Sequence, residues 1–136
     1  MTPSPEKQTA PGHVLLEASN LTRILPAIVP VTLVQDVSFE VGEAEFVAIT
    51  GPSGSGKSTT ARCITGLLPP RIGHIEFDGE PLPLDYRKRN KMQLRQAQMI
   101  YQMADTALNP RKTIGEIIGR PVQFYLGLTG AEKRRR

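Results

Sequence analysis

The stretch GPSGSGKST at residues 51–59 decides the fold, because it fits the phosphate-binding pattern G-x-x-x-x-G-K-[ST]. The apolar run Phe46–Thr50 precedes it and is typical of a buried strand. Residues 58–65 follow as a predicted first helix, which Gly66 ends. Strand, glycine-rich loop and helix, in this order, are the context that the pattern requires. The sequence therefore predicts an α/β fold of the P-loop nucleoside triphosphatase class.

The residue types in this loop indicate its chemistry. Glycines let backbone N–H groups approach phosphate oxygens closely, and the positive end of the helix dipole lies at the same place. Lys57 can place its ammonium on the β- and γ-phosphates, and the Ser58 hydroxyl can bind Mg²⁺. We therefore predict a nucleotide site made of nine consecutive residues: Gly51, Pro52, Ser53, Gly54, Ser55, Gly56, Lys57, Ser58 and Thr59.

Length, charge and cysteine content limit the other possibilities. With 136 residues, 39% of them hydrophobic, the chain is long enough for one domain with a core. The net charge of +4 is modest, and the basic clusters at 87–91 and 133–136 contain no aromatic residues, which argues against nucleic-acid binding. Cys63 is the one cysteine, so an internal disulfide is excluded, and we expect it to pack inside the helix after the loop. No apolar run approaches the length of a membrane span.

Antiparallel strands are predicted ahead of and around the loop. Residues 1–13 are rich in Pro, Ser, Thr and charge and indicate a disordered leader or linker, so the folded part is expected at 14–136. The apolar or alternating stretches 14–16, 31–34, 37–41 and 74–77 predict strands, with a turn at Asp78–Gly79.

The second half of the chain is predicted to be mainly helical. A helix over 85–98 with a solvated Arg/Lys face is expected first, followed by a buried strand at 99–101 and a loop over 104–112. A second helix is expected over 113–125, where Pro121 kinks or splits it, and a new helix is expected from Thr129. The sequence ends soon after this last helix begins, which is typical of a truncated domain.

A family resemblance follows from these motifs. Residues 51–59, with Gln102 directly after the apolar run Met99–Tyr101, resemble the nucleotide-binding subunit of an ATP-binding cassette (ABC) transporter. Leu108–Arg111 followed by Thr113–Ile118 is similar to the oligopeptide, dipeptide and nickel importer branch, and FDGEPL at 77–82 resembles the antiparallel subdomain of the family. The resemblance covers about residues 14 to 136 and implies the N-terminal part of a nucleotide-binding domain.

The resemblance also implies roles for single residues. Gly51, Gly56 and Lys57 match the Walker A positions that hold the phosphates, and Ser58 matches the Mg²⁺ ligand. Gln102 matches the Q-loop glutamine, which contacts Mg²⁺ or the attacking water and links the site to the membrane domains. Lys57 and Gln102 are thus the implied catalytic residues, Ser58 and Gln102 the implied metal ligands, and ATP and Mg²⁺ the implied cofactors.

The implied partners are transmembrane permease subunits and, for a full-length domain, a second nucleotide-binding subunit in a head-to-tail dimer. The implied location is cytoplasmic, peripheral on the inner face of the cell membrane.

The sequence departs from the family pattern in several places. Met103–Ala104 stands where the branch has Asp–Pro, and Leu25 lies near the position of the aromatic residue that stacks on adenine. Beyond Gln102 the sequence contains no LSGGQ-like signature and no apolar run followed by Asp–Glu. The two histidines, His13 and His74, precede Gln102 and so do not match the switch histidine of the family. We therefore expect the isolated chain to bind ATP but to hydrolyse it very poorly.

Other functions remain open at this point. The loop also resembles that of small P-loop kinases, in which arginines such as Arg87, Arg89 and Arg95 would surround the transferred phosphate. A GTPase is disfavoured because residues 90–93, NKMQ, lack the Asp of N-K-x-D. A truncated, non-enzymatic fragment is the remaining alternative. Asp36 and Asp78 are interpreted as turn residues and not as substitutes for the missing carboxylates.

Overall fold

The computed structural model describes residues 12–102 and 108–135, and the chain divides into two compact units at residues 1–88 and 89–136. The predicted leader at 1–13 lies almost wholly outside the described residues, as does part of the predicted loop at 104–112. Each unit is described by itself below.

The first unit contains the predicted antiparallel sheet. Its four strands are β1 (Val14–Leu25), β2 (Val31–Gly42), β3 (Ile72–Phe77) and β4 (Glu80–Pro81), in the spatial order β2-β1-β3-β4. All neighbouring pairs are antiparallel. Short turns join β1 to β2 and β3 to β4, whereas residues 43–71, which include the glycine-rich loop and the helix after it, connect β2 to β3. The prediction of strands ahead of the loop and of a turn at Asp78–Gly79 is confirmed.

Irregularities in β1 and β2 explain why these strands appear interrupted in the sequence. Asn20 and Asp36 both adopt positive φ, at 53° and 50°, and the Asn20 amide donates a hydrogen bond to the Asp36 carboxylate. Opposite them, Gly73 has φ 104°, and a Cβ there would lie 2.6 Å from the Ser19 carbonyl oxygen. The close approach of β3 to β1 therefore requires glycine. Asp36 therefore lies at an irregularity within one continuous strand β2, and not in the expected turn between two strands at 31–34 and 37–41.

The core of this unit joins the sheet to the helix that follows the P-loop. Helix α1 (Lys57–Ile64) contributes Cys63, which packs with Leu21 of β1, Ile75 of β3 and Leu82. Burial raises the pKa of the Cys63 thiol, and the nearby positive charge of Arg23 opposes that rise. The interpretation of Cys63 as a packed residue is confirmed, and the sheet and α1 share one core.

Two predicted buried strands are absent. Phe46–Thr50 has no regular secondary structure, and the Phe46 side chain is 91% exposed. Met99–Tyr101 is also irregular, and Ile100 is 93% exposed. A buried strand needs neighbouring strands that bond to its N–H and C=O groups and further elements that cover its faces. Among residues 12–102 and 108–135, no strand pairs with either run, so neither prediction is correct for this chain.

The predicted helix at 85–98 is also corrected. A 3₁₀ turn at Tyr86–Lys88 precedes a separate helix α2 (Lys91–Gln96). Asn90 separates them because its side chain accepts a hydrogen bond from the Gln93 N–H, while the Gln93 side chain bonds back to the Asn90 N–H. This capping box starts a new helix and does not continue an old one. The Arg/Lys run is not a wholly solvated face, since Arg89 is only 5% exposed and burial lowers the pKa of its guanidinium.

The second unit is completed by α3 (Ile114–Leu126) and α4 (Gly130–Arg135). A capping box between Thr113 and Glu116 starts α3, and Gly127 at φ 69° ends it. Pro121 lies inside α3 and does not split it. Helix α4 begins directly after Thr129, where the sequence predicts a new helix. In the described part of the chain, no helix combines the length and the apolar character that crossing a bilayer requires.

Candidate functional site

The backbone of the glycine-rich loop takes conformations that side chains rarely tolerate. Gly51, Gly54 and Gly56 have φ values of 151°, 81° and 97°. A Cβ at Gly56 would lie 2.9 Å from the Leu33 carbonyl oxygen of β2, and one at Gly51 would lie 2.8 Å from the Ser55 hydroxyl. The loop is therefore folded tightly on itself and against β2, in a shape that depends on glycine.

Lys57 is held at the mouth of this loop. It is the first residue of α1, and its ammonium donates hydrogen bonds to the carbonyl oxygens of Gly51 at 2.8 Å and Pro52 at 2.6 Å. The side chain thus curls back over the loop that precedes it and does not extend into solvent. The positive charge is fixed beside the N-terminus of α1, where the helix dipole adds further positive potential.

Helix α1 is anchored so that its first turn remains open. The Thr60 N–H and hydroxyl both donate to the Gly56 carbonyl, at 2.8 and 3.0 Å, and Thr60 is buried. Ser58 and Thr59 lie in the first turn, where backbone N–H groups have no acceptor within the helix. Ser58 is exposed, so its hydroxyl is accessible from solvent.

These features fit a chain of phosphates. Residues 51–55 are exposed, so a ligand can reach the loop, and nothing lies within 4 Å of the Cβ position at Gly54. Backbone N–H groups, the helix dipole and the Lys57 ammonium all offer positive potential to the same ligand. The structure thus brings the nine predicted residues 51–59 together in one loop and one helix turn.

The other predicted site residues lie elsewhere. Gln102 belongs to the second unit, is exposed and stands next to residues 103–107, which are outside the described part, so its role stays a prediction. Leu25 ends β1 and is 37% exposed. His13 pairs with the Asp78 carboxylate, which supports the view of Asp78 as a turn residue. Among the described residues, no group of three or more His, Cys, Asp or Glu could hold a metal ion.

Two contributors to the loop were missed by the sequence interpretation. The Leu33 carbonyl limits the space at Gly56, and Thr60 ties α1 to the loop. A threonine four residues after the last loop glycine is a usable signal, because i→i−4 hydroxyl bonds are common in helices. The contact with Leu33 has no local signal, since the two residues are distant in sequence.

Comparison with known proteins gives a consistent result. The family model described as "ABC transporter" matches residues 34–136. Nickel import ATP-binding protein NikE of Escherichia coli (strain K12) is 41% identical over 101 residues, which are 74% of this chain and 38% of that protein. The NikE protein of Brucella abortus (strain 2308) is 36% identical over 128 residues, 90% of this chain and 48% of that protein. The chain therefore spans less than half the length of these relatives.

Solved structures agree in fold. A dimeric structure of the ATP-binding cassette MJ0796, in a post-hydrolysis state bound to ADP and Pi, aligns with a TM-score of 0.68 at 26% identity and covers 89% of this chain and 53% of that one. The structure of an ATP binding subunit of an ABC transporter aligns with a TM-score of 0.61 at 31% identity and covers 90% of this chain and 47% of that one. The predicted fold class and family resemblance are confirmed, and they favour this assignment over the kinase and GTPase alternatives.

Proposed function

The chain belongs to the ABC transporter family, and we propose that it acts as the ATP-binding, energy-coupling part of an importer for nickel, peptides or related small solutes. The observation that carries the proposal is the Lys57 ammonium fixed by the Gly51 and Pro52 carbonyls at the mouth of the glycine-rich loop. The relatives named above as nickel import ATP-binding proteins support the importer class.

In this proposal the triphosphate of ATP enters the loop at residues 51–59. The Lys57 ammonium exchanges its two carbonyl acceptors for β- and γ-phosphate oxygens, which are stronger acceptors because they are charged. The exposed Ser58 hydroxyl and the Gln102 side chain would hold Mg²⁺. When bound, Mg²⁺ supplies neutralisation of the charge that develops on the phosphates. Lys57 and Gln102 are the proposed catalytic residues.

We expect the 136-residue chain to hydrolyse ATP very slowly. Transfer of a phosphoryl group to water needs a residue that orients the water, besides the charges that hold the phosphates. After Gln102 the sequence offers the carboxylates of Asp105, Glu116 and Glu132. Glu116 is already engaged, because it caps α3 through Thr113 and pairs with Lys112. Among the described residues, Glu116 is therefore not free to orient the attacking water, and in this proposal the loop binds ATP without rapid hydrolysis.

The proposed partners follow from the importer class. Permease subunits that span the membrane would bind the domain, which places it in the cytoplasm on the inner face of the membrane. A second nucleotide-binding subunit would pair with it head to tail in the full-length protein. The dimeric state of the MJ0796 cassette supports the pairing of two such subunits.

The test uses the chain labelled with ¹⁵N and titrated with Mg-ATP. We expect the largest amide shift changes at residues 51–59, and much smaller ones with Mg-AMP, because AMP lacks the β- and γ-phosphates. Equal changes with both nucleotides would contradict phosphate recognition by the loop. Phosphate release is measured in parallel on the wild type and Lys57→Ala. ATP turnover by the wild type that is lost in Lys57→Ala would contradict the expected lack of hydrolysis. The proposal that residues 51–59 bind ATP would still stand.

A further inference from the structure

Thr60 makes two hydrogen bonds to a single atom at the start of α1. Its N–H and its hydroxyl both donate to the Gly56 carbonyl oxygen, at 2.8 and 3.0 Å. The N–H bond is the ordinary bond of an α-helix, whereas the hydroxyl bond is additional. A carbonyl oxygen has two lone pairs, so Thr60 alone uses the whole acceptor capacity of this oxygen. Thr60 therefore holds one peptide group of the glycine-rich loop more firmly than the helix itself requires.

The burial of Thr60 makes the hydroxyl bond persistent. Thr60 is only 4% exposed, so little water competes for its hydroxyl. Within the part of the chain that the structure describes, the Gly56 carbonyl is the one acceptor of this hydroxyl. A buried hydroxyl that loses its acceptor pays the full penalty of desolvation, so the bond is costly to break.

The peptide group that Thr60 holds follows a residue with a flexible backbone. Gly56 has φ 97° and ψ 1°, and glycine has more backbone conformations available than any other residue. On the other side of Gly56, the Leu33 carbonyl and the Val34 side chain limit the space. Neither of these groups can donate a hydrogen bond to the Gly56 carbonyl. The contact with β2 thus restricts where Gly56 lies, while Thr60 restricts how the next peptide group is turned.

The orientation of this peptide group decides where the Lys57 N–H points. A trans peptide is planar, so its C=O and its N–H point in opposite directions. Because the Gly56 C=O points along α1 towards Thr60, the Lys57 N–H points out of the helix and towards the loop. This N–H belongs to the first turn of α1, where N–H groups have no acceptor within the helix. A phosphate oxygen is a suitable acceptor for it.

We propose that Thr60 is a positioning residue for the phosphates of ATP. Its hydroxyl holds the peptide group between Gly56 and Lys57 so that the Lys57 N–H is already oriented towards a phosphate oxygen. Because Thr60 is buried, it acts through the Gly56 carbonyl and not by touching the nucleotide. Without the hydroxyl, this peptide group must be ordered when ATP binds, and the cost of ordering lowers the affinity. The inference rests on the proposed function, in which residues 51–59 bind ATP.

A second threonine of α1 provides a matched control. The Thr65 hydroxyl donates to the Ala61 carbonyl at 3.0 Å, and the Thr65 N–H donates to the same oxygen at 3.1 Å. Thr65→Val therefore removes the same kind of bond at the other end of the helix. Thr60→Val keeps the branched shape of the side chain and removes only the hydroxyl, whereas Thr60→Ser keeps the hydroxyl.

The affinity of the full chain for Mg-ATP is measured for each variant by isothermal titration calorimetry. We expect Thr60→Val to weaken binding about three- to tenfold, which corresponds to one neutral hydrogen bond. Thr60→Ser should restore the affinity to within about twofold of the wild type, and Thr65→Val should bind as the wild type does. A residue that only supported folding would not produce this pattern.

The mobility of the Lys57 N–H provides a second, spectroscopic measurement. In the free chain, its ¹⁵N order parameter should be lower in Thr60→Val than in the wild type, because the peptide group is held less firmly. Saturation with Mg-ATP should remove the difference, since the phosphate then orders this group. In Thr65→Val the order parameter of the Lys57 N–H should be the same as in the wild type.

Two results would overturn the assignment of Thr60. One is equal affinity of the wild type and Thr60→Val, which would leave ATP binding by the loop standing. The other is a loss of affinity that Thr60→Ser does not restore or that Thr65→Val shares, because the stability of α1 would then be the cause. If Thr60→Val does not fold, Thr60→Ala removes the same hydroxyl and is judged by the same outcomes. If the wild type itself does not bind Mg-ATP, the proposed function is wrong and the role of Thr60 falls with it.

Discussion

The sheet around Leu21 and the run Phe46–Thr50 look alike in sequence but differ in the structure. Both contain short apolar stretches, yet Leu21 is completely buried and Phe46 is 91% exposed. β1 pairs with β2 through a hairpin and with β3, which follows α1 in the chain, and α1 covers one of its faces. The run before the P-loop has no such neighbours among the described residues. The difference shows that burial of a strand depends on which partners the chain itself supplies.

The largest effect is expected in the sheet. Leu21→Ala removes the side chain at the centre of the core formed with Ile75 and Cys63, and it should lower the free energy of unfolding by about 2–5 kcal/mol. Urea denaturation followed by circular dichroism measures the change. Val31→Ala, on a half-exposed end of β2, serves as the control and should lower the free energy of unfolding much less. A loss for Leu21→Ala no larger than for the control would contradict the description of the core.

A second effect is expected where the loop meets the sheet. Gly56→Ala places a Cβ against the Leu33 carbonyl in a left-handed conformation and should destabilise the chain by about 1–3 kcal/mol. Gly79→Ala is the matched control, because Gly79 also has positive φ but nothing lies within 4 Å of its Cβ position. Thermal unfolding of both variants gives the comparison. Equal losses of stability in the two variants would mean that backbone strain, and not the contact with β2, causes the destabilisation by Gly56→Ala.

A smaller and pH-dependent effect is expected at α3. Hydrogen bonds to the Glu116 carboxylate lower its pKa below the ordinary value. The bond from the Thr113 N–H makes the largest contribution, and the bond from Lys112 comes next. Because the folded pKa is the lower one, the stabilisation is present above the ordinary glutamate pKa and is lost as the pH falls through the folded value. The protection factors of the α3 amides, which are exchange rates corrected for the intrinsic pH dependence, should therefore fall in acid. Glu116→Gln should remove most of this pH dependence, and an unchanged profile would exclude the cap as its cause.

The smallest effect is expected in the exposed run. Phe46→Ser should change the free energy of unfolding by no more than about 0.5 kcal/mol, as is usual for surface positions. The same denaturation experiment as for Leu21→Ala measures it. A loss comparable to that of Leu21→Ala would show that Phe46 packs against something in solution, and the contrast between the two regions would then disappear.

Local chemistry explains which features the sequence could predict. The P-loop and α1 were predictable because the positive φ of Gly54 and Gly56 and the helix that begins at Lys57 depend on neighbouring residues. The start of α3 was predictable for the same reason, since its cap lies within four residues. The roles of Ser58 in metal binding and of Gln102 in catalysis remain predictions.

Features that depend on distant partners were not predictable. Phe46 and Ile100 are exposed because no strand of the described ranges 12–102 and 108–135 pairs with their runs, and no local pattern reports such pairing. The burial of Arg89 and the fit of Lys133 over Gly119 depend on how separate elements pack. The split of the predicted helix at Asn90 is different, because the capping box with Gln93 was present in the sequence and was overlooked.

The most direct test of the account measures the affinity for Mg-ATP by isothermal titration calorimetry, with Lys57→Ala as the variant and Lys88→Ala as the control. Lys88 is an exposed cation of the first unit outside the loop. Loss of a charge-assisted bond worth about 1.5–3 kcal/mol should weaken binding by Lys57→Ala about ten- to a hundredfold. Lys88→Ala should bind as the wild type does. Equal affinity of the wild type and Lys57→Ala would contradict the claim that the ammonium at the mouth of the loop receives the phosphates.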